Sequence, residues 1–254
     1  MHSITFLDDR YPVKTLVSEK EDWRSRSGWR NDDSRKTVLQ AYLQTHLKRV
    51  VYARETHSGS VISVSDNDVS GRLETVSEAF HIGPSGGYDA VLTASRGILL
   101  CIWTADCFPL FLYDTANHAA AIAHCGWRGI CSGIVENTLN AMRRRFGTDP
   151  RQIAAAFGPG ICGNCYEVTG EMPALFAQRF PAQTLETLFR PLDAGKYLLD
   201  LRKAIITELI GAGAEPSNIC DTGPCSYESG AYASFRRDGR SIPDRQTLSG
   251  IVLL

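Results

Sequence analysis

Three apolar runs lie close together in the middle of the chain: "GILLCIW", "FPLFLYD" and "AAAIAH". Each has the length of a strand and ends in turn residues, so each is read as a buried strand. "QIAAAFGPG" is a fourth of the same kind, ending at Pro159. A chain with several such runs must bury them in a substantial core, which 254 residues at 43% hydrophobic content allow. Helical spacing appears on both sides. "RKTVLQAYLQTHLKRV" places Val38, Leu39, Tyr42, Leu43 and Leu47 along an amphipathic helix. "ICSGIVENTLNAMRRRF" does the same with Ile130, Ile134, Val135, Leu139, Met142 and Phe146, and its three arginines suit a helix C-terminus. "LDLRKAIITELIGAG" reads as a helix with Asp200 as N-cap and Gly211 or Gly213 as stop. "VVYARETHSGSVISV" reads as extended chain turning near Ser58-Gly59, and the tail from "AYASFRRDGR" to "SGIVLL" as strand, turn, strand. Strands and helices mix without strict alternation, which favours α+β, and no linker divides the chain, so one domain over 1–254 is expected. The first thirty or so residues carry no clear period.

Charge and cysteine content narrow the partners. Lys and Arg total 27 against 28 for Asp and Glu, so a net basic footprint for nucleic acid is missing. "GILLCIW" is too short to span a bilayer, and "MHSITFLDDRYPVKT" does not read as a secretory signal. The expectation is a cytoplasmic protein whose eight cysteines are thiols or ligands rather than disulfides.

The chemistry concentrates around the apolar runs. Cys107 falls in the turn after the first, and His124 ends the third, just before a helix. If those two strands are neighbours, both side chains meet at one sheet end, and His57, in a turn, supplies a third donor. Imidazole and thiolate bind zinc well, and three protein ligands leave a fourth position for water or substrate. The wide separations match no compact zinc motif, so a buried cysteine and incidental histidines are the simpler reading of spacing alone. In "GWRG", Gly126 and Gly129 let the backbone approach a ligand, and Arg128 suits an anion there; the plain alternative is a strand-to-helix turn. "GPGICGNCYEV" holds Cys162 and Cys165 as C-x-x-C. With Cys220 and Cys225 a second four-thiolate site is formally possible, although incidental thiols in a Gly-rich loop are preferred. His81 in "HIGPSGGYD" and Arg236, Arg237 and Arg240 in "SFRRDGR" are weaker candidates for ligand and anion contact.

Taken together, "YDAVLT", "TADCFPL", "AHCGWRG", "FGPGICGNCYEV", "LDLRKAIITELIGAGA" and "SFRRDG", in that order, resemble the laccase-domain family. Its members are also called multi-copper polyphenol oxidoreductase-like or peptidoglycan-editing-factor proteins, and are assigned as purine nucleoside phosphorylases. The resemblance runs from about Arg35 to the C-terminus and leaves 1–34 poorly matched. It implies a single four-layer α/β/β/α domain, similar to toxin deamidases that use a Cys–His pair. It also implies a metal held by His57, Cys107 and His124, zinc or else copper. The implied activity is phosphorolysis of adenosine, inosine and methylthioadenosine, with adenosine deamination alongside. Purine nucleoside and phosphate would be the partners; nothing points to nucleic acid or membrane, or indicates the oligomeric state.

On that reading Arg128, Arg236 or Arg237 would hold phosphate, and Asp89 and Asp106 are candidates by position for substrate contact and proton transfer. Copper-dependent phenol oxidation and cell-wall precursor editing also attach to the family. One His–His–Cys site is poor chemistry for four-electron reduction of dioxygen. The rival enzyme class is a cysteine hydrolase with Cys107 as nucleophile and His124 as base, and a third class is a non-catalytic sensor. Several positions depart from the family pattern. Glu55, Thr56 and Ser58 flank His57 where Gln, Val and Gly are usual. Cys125 replaces an alanine, Ser34 an asparagine and Asp244 a glycine.

Overall fold

The apolar runs lack alternation because both faces of their strands are covered. The computed structural model describes residues 1–20, 22, 34–66, 74–75, 80–82, 87–239 and 246–254. In chain order the strands are β1 (Val13–Val17), β2 (Arg49–Tyr52), β3 (Val61–Ser63), β4 (Glu74–Thr75) and β5 (Phe80–Ile82). Next come β6 (Ala90–Thr93), β7 (Ile98–Thr104), β8 (Phe108–Asp114), β9 (Ala119–Cys125) and β10 (Ile153–Phe157). The last are β11 (Glu167–Val168), β12 (Phe189–Pro191), β13 (Tyr197–Leu199), β14 (Ile219–Cys220) and β15 (Thr247–Leu253). They form two mixed six-stranded sheets, ordered β1-β15-β7-β2-β5-β4 and β14-β10-β8-β9-β6-β3, and a small sheet β11-β13-β12.

Alternate residues of one strand enter different cores. Leu99, Cys101 and Trp103 pack with Leu39 and Leu43 of the helix Ser34–Leu43. Ile98, Leu100 and Ile102 face the second sheet and meet Phe111, Tyr113, Ala120 and Ile122. On the far side of that sheet, Leu110, Leu112, Ala121 and Ala123 pack under the helices Ile134–Phe146 and Leu201–Gly211. The layers are therefore α/β/β/α, each core contributing about 1.5–3 kcal/mol per fully buried large apolar side chain.

Several local expectations change. The first and third runs are not neighbours in one sheet: β7 lies in the first sheet, whereas β8 and β9 pair as a hairpin in the second. Val38 is 46% exposed, so the buried stripe of its helix is Leu39 and Leu43, with Leu47 following. Ile130 belongs to a separate short helix, Trp127–Cys131, because Gly133 takes a left-handed φ of 76° and breaks the chain before Ile134. In the tail, Phe235–Asp238 is one helical turn capped by Ser234, not a strand, since the Ser234 side chain accepts from the Arg237 N–H. The Asp200 cap is as read. The N-terminal segment supplies β1, which pairs with β15 at the edge of the first sheet. His81 lies in β5 rather than in a loop, and Arg240 and Asp244 fall outside the described residues. All eight cysteines are free thiols. Among the described residues no helix is long and apolar enough to cross a membrane.

Candidate metal centre

The chain passes from the first sheet to the second in two places that matter. Between β2 and β3 it crosses at His57, and between β7 and β8 it crosses at Cys107. The β8–β9 register sets Phe108 opposite Cys125 and Pro109 opposite His124, which brings the end of β9 beside the Cys107 turn. His57, Cys107 and His124 thus converge, their donor atoms within 4.8 Å of one another. The two imidazole rings sit edge to face, centroids 4.8 Å apart. Gly126 is required by this closeness. A Cβ there would lie 2.6 Å from the Cys107 sulfur and 3.3 Å from the His57 ring.

Asp89 organises the cluster from behind. It is fully buried, at the start of β6. Its Oδ1 accepts from the His57 N–H at 2.9 Å and from His124 Nδ1 at 2.7 Å. Its Oδ2 accepts from the Thr56 N–H at 3.1 Å, the Ser58 N–H at 2.7 Å and the Ser58 hydroxyl at 2.8 Å. These bonds hold His57 at its positive φ of 59°. A carboxylate only accepts, so His124 must donate from Nδ1, leaving Nε2 for Cys107 or a metal. Burial alone would raise the Asp89 carboxyl, but the bonds from His124 and Ser58 bring it down to about 2. Burial likewise opposes charge on Cys107 and His124, yet their mutual attraction lowers the thiol and raises the imidazole, favouring a thiolate–imidazolium pair. The departure at Ser58 has a consequence here, since its hydroxyl adds a bond to Asp89 that a glycine would lack.

The cluster floors a cavity of about 500 Å³. Aromatic side chains from separate segments form its walls: Trp103, Trp127, Tyr166 and Phe235, the last 57% exposed. Arg128 stacks on Trp127, its guanidinium carbon 4.2 Å from the ring centroid, and Arg236 lies 5.2 Å from that of Tyr166. Glu55 also lines the cavity, and its carboxylate accepts from the Trp103 N–H at 2.7 Å.

The sequence candidates divide accordingly. "GWRG" and "GPGICGNCYEV" reach the cavity through Arg128, Ile161 and Tyr166. Asp89 does not; it lies behind the imidazoles. Asp106 lines the cavity, but its oxygens accept from the Ser226 hydroxyl and the Arg236 N–H, each at 2.7 Å. Arg237 is turned away, donating to Asp238 and to the carbonyls of Ser226, Tyr227, Ser229 and Tyr232. Cys125 is buried in the core. Trp103 and Phe235 have no signal as site residues in the sequence, and Glu55 only as a departure beside His57, because the approach of distant segments makes them neighbours. Tyr166, an aromatic inside a Gly-rich loop, was the one with a local signal.

Two imidazoles and one thiolate, held by a buried carboxylate and open to a cavity on the fourth side, suit a borderline-soft divalent ion such as zinc. The layered fold and this donor set are those of an α/β protein with a candidate metal site. Residues 30–246 match the family described as multi-copper polyphenol oxidoreductase laccase, and the chain belongs to that family. It is similar to purine nucleoside phosphorylase SCO2081 of Streptomyces coelicolor, 35% identical over 190 residues that cover 75% of this chain and 70% of that one. It is also similar to adenosine deaminase RL5 from an unknown prokaryotic organism, 33% identical over 220 residues, covering 86% and 80%. Among solved structures, Bacillus licheniformis YfiH superposes with a TM-score of 0.78 at 25% identity, covering 95% and 93% of the two chains.

Proposed function

We propose that the chain is a zinc-dependent purine nucleoside phosphorylase that also deaminates adenosine. The observation that carries this reading is the convergence of His57, Cys107 and His124 beneath a cavity with aromatic walls and two arginines. The names of the relatives support the substrate class. Zinc held by the three donors would supply Lewis-acid activation of water or of the leaving purine. The other roles belong to side chains. Trp127, Tyr166 and Phe235 offer flat apolar faces to the base, and Arg128 and Arg236 offer charge to phosphate. In phosphorolysis the bond from ribose C1′ to the purine nitrogen breaks, a phosphate oxygen bonds to C1′, and the nitrogen takes a proton. In deamination water adds to the ring carbon and ammonia leaves. Asp106 acts as a positioning residue through Ser226 and the Arg236 backbone; Glu55, whose Oε1 accepts from the Trp103 backbone N–H, is the other cavity carboxylate and the candidate to exchange the proton.

Incubation of metal-replete protein with adenosine and phosphate should release adenine and ribose 1-phosphate, and without phosphate some inosine. Chelation or His57→Ala should stop both reactions. Metal-replete, folded protein that turned over none of adenosine, inosine and methylthioadenosine would overturn the assignment. One observation favours a second reading: Cys107, His124 and Asp89 line up as nucleophile, base and orienting carboxylate. A cysteine hydrolase would survive chelation and the loss of His57, and would be stopped by thiol alkylation.

A further inference from the structure

A second group of donors lies outside the His–Cys–His cluster. Cys162, Cys165, Cys225 and Glu228 place one ligand atom each within 4.8 Å of the others. The sequence pairs Cys225 with Cys220, but Cys220 is elsewhere, its sulfur 3.2 Å from the Thr222 hydroxyl. The fourth donor is instead Glu228, three positions after Cys225. The pattern is therefore C-x-x-C on one loop and C-x-x-E on another.

Local structure prepares both halves. The N–H groups of Cys165 and Tyr166 donate to the Cys162 carbonyl at 3.0 and 3.1 Å, a tight turn that carries both thiols. In the other loop the Ser229 N–H donates to the Cys225 carbonyl at 3.0 Å. The loops are tied by main chain, since the Gly160 N–H donates to the Pro224 carbonyl and the Ser226 N–H to the Gly160 carbonyl. Between the donors, the Cys162 N–H points at the Cys225 sulfur at 3.3 Å, and the Cys165 sulfur lies 3.4 Å from Glu228 Oε1. Backbone N–H groups directed at sulfur favour a thiolate. Three thiols and a carboxylate this close can only donate and accept among themselves, as Cys165 does to Glu228, whereas a divalent ion would satisfy all four donors.

We propose that Cys162, Cys165, Cys225 and Glu228 form a second, structural zinc site that clips these two loops together. Three soft donors and one carboxylate, four in all, fill a tetrahedron and leave no open position, which is the closed arrangement of structural zinc. With zinc–sulfur bonds of about 2.3 Å the donors would lie about 3.8 Å apart. Since all four donors lie within 4.8 Å of one another, no separation needs to close by more than about 1 Å, within the reach of side-chain rotation.

The clip has a consequence for the cavity. Tyr166, next after Cys165, forms part of its wall. Ser226, next after Cys225, holds Asp106 and through it the turn that carries Arg236. The Ile161 N–H on the first loop donates to the Asp106 carbonyl at 2.8 Å. Zinc at the clip would fix this wall without touching substrate, whatever reaction the first site performs.

The test is metal stoichiometry in the intact chain, purified with thiols protected and measured by elemental analysis. The wild type should hold about two zinc ions per chain, and Cys107→Ser or Cys225→Ser about one each. Cobalt added to metal-stripped Cys107→Ser, which leaves the clip intact, should give sulfur-to-cobalt charge-transfer absorption of three thiolates. Cys107→Ser with Cys165→Ser should show two. Glu228→Gln, at an exposed position, should weaken metal retention at the clip at least tenfold while circular dichroism stays native. Wild-type protein with one zinc per chain that falls to none in Cys107→Ser would overturn the proposal. So would a Cys162–Cys165 disulfide in protein alkylated at lysis, or unchanged retention in Glu228→Gln.

Discussion

Replacing Asp89 by asparagine should separate orientation from shape, because the amide fits the same space but cannot meet the same donors. In one orientation its NH₂ group replaces Oδ2 and faces the N–H groups of Thr56 and Ser58, donor against donor. In the other it replaces Oδ1, faces the His57 N–H, and forces His124 Nδ1 to accept. The imidazole proton then moves to Nε2, the nitrogen needed for Cys107 or a metal. Each backbone donor left unmet costs about 1–3 kcal/mol, and partial hydration of this loop favours the low end, so about 2–4 kcal/mol of stability should be lost. Metal affinity should fall about 10–100-fold, as for other carboxylates behind ligating histidines. Urea unfolding of metal-free protein reads the first quantity, and competition with a chromophoric chelator the second. The pH profile carries a sign. The Asp89 carboxyl sits at about 2 when folded, below about 3.9 in an unfolded chain. A depressed carboxyl stabilises fully above its unfolded value and loses that contribution as pH falls through its folded one. The gap between wild type and Asp89→Asn should therefore be widest between pH about 5 and 6.5, shrink from about 4 to 2 as the carboxyl protonates, and narrow again above about 6.5, where the raised His124 imidazole loses the contribution that Asp89 supports. A variant that matched the wild type in both unfolding and metal affinity would refute Asp89 as the organiser of the cluster.

Gly126→Ala should drive the Cys107 sulfur out of the cluster, because its new Cβ would lie 2.6 Å from it; metal content should fall while circular dichroism stays native, and full retention would show that the turn yields. In metal-stripped protein, Cys107, held at about 6 against burial by the two histidines, should alkylate at nearly full rate at pH 7 and slow as pH drops below about 6. Since the thiol sits lower than a free cysteine at about 8.5, His124→Ala should shift that profile upward; an unshifted profile would remove the ion pair. Arg128→Ala should raise the phosphate KM by roughly 10-fold or more, the scale of a lost charge-assisted contact of about 1.5–3 kcal/mol, with zinc unchanged. Equal phosphate dependence would make the arginine merely a cover for Trp127.

Local sequence carried the elements that depend on local physics. The four apolar runs became β7, β8, β9 and β10, and Asp200 capped its helix, because burial and capping are written within a few residues. The motifs around His57, Cys107 and His124 singled out the three donors. Pairing was not legible. Strands covered on both faces show no alternation, so nothing in "GILLCIW" told whether it shares a sheet with "AAAIAH" or faces it across a core. That choice fell to the turn at Cys107, which sends the chain from one sheet to the other. Roles that rest on contacts between distant segments were equally hidden. Position along the chain suggests a substrate contact for Asp89, which lies behind the imidazoles, and an anion contact for Arg237, which braces carbonyls; nothing local joins Glu228 to the cysteines. Carboxylates and guanidinium groups look alike along a chain. Their tasks are set by which partners the packed layers bring within about 3 Å, the range over which a hydrogen bond acts.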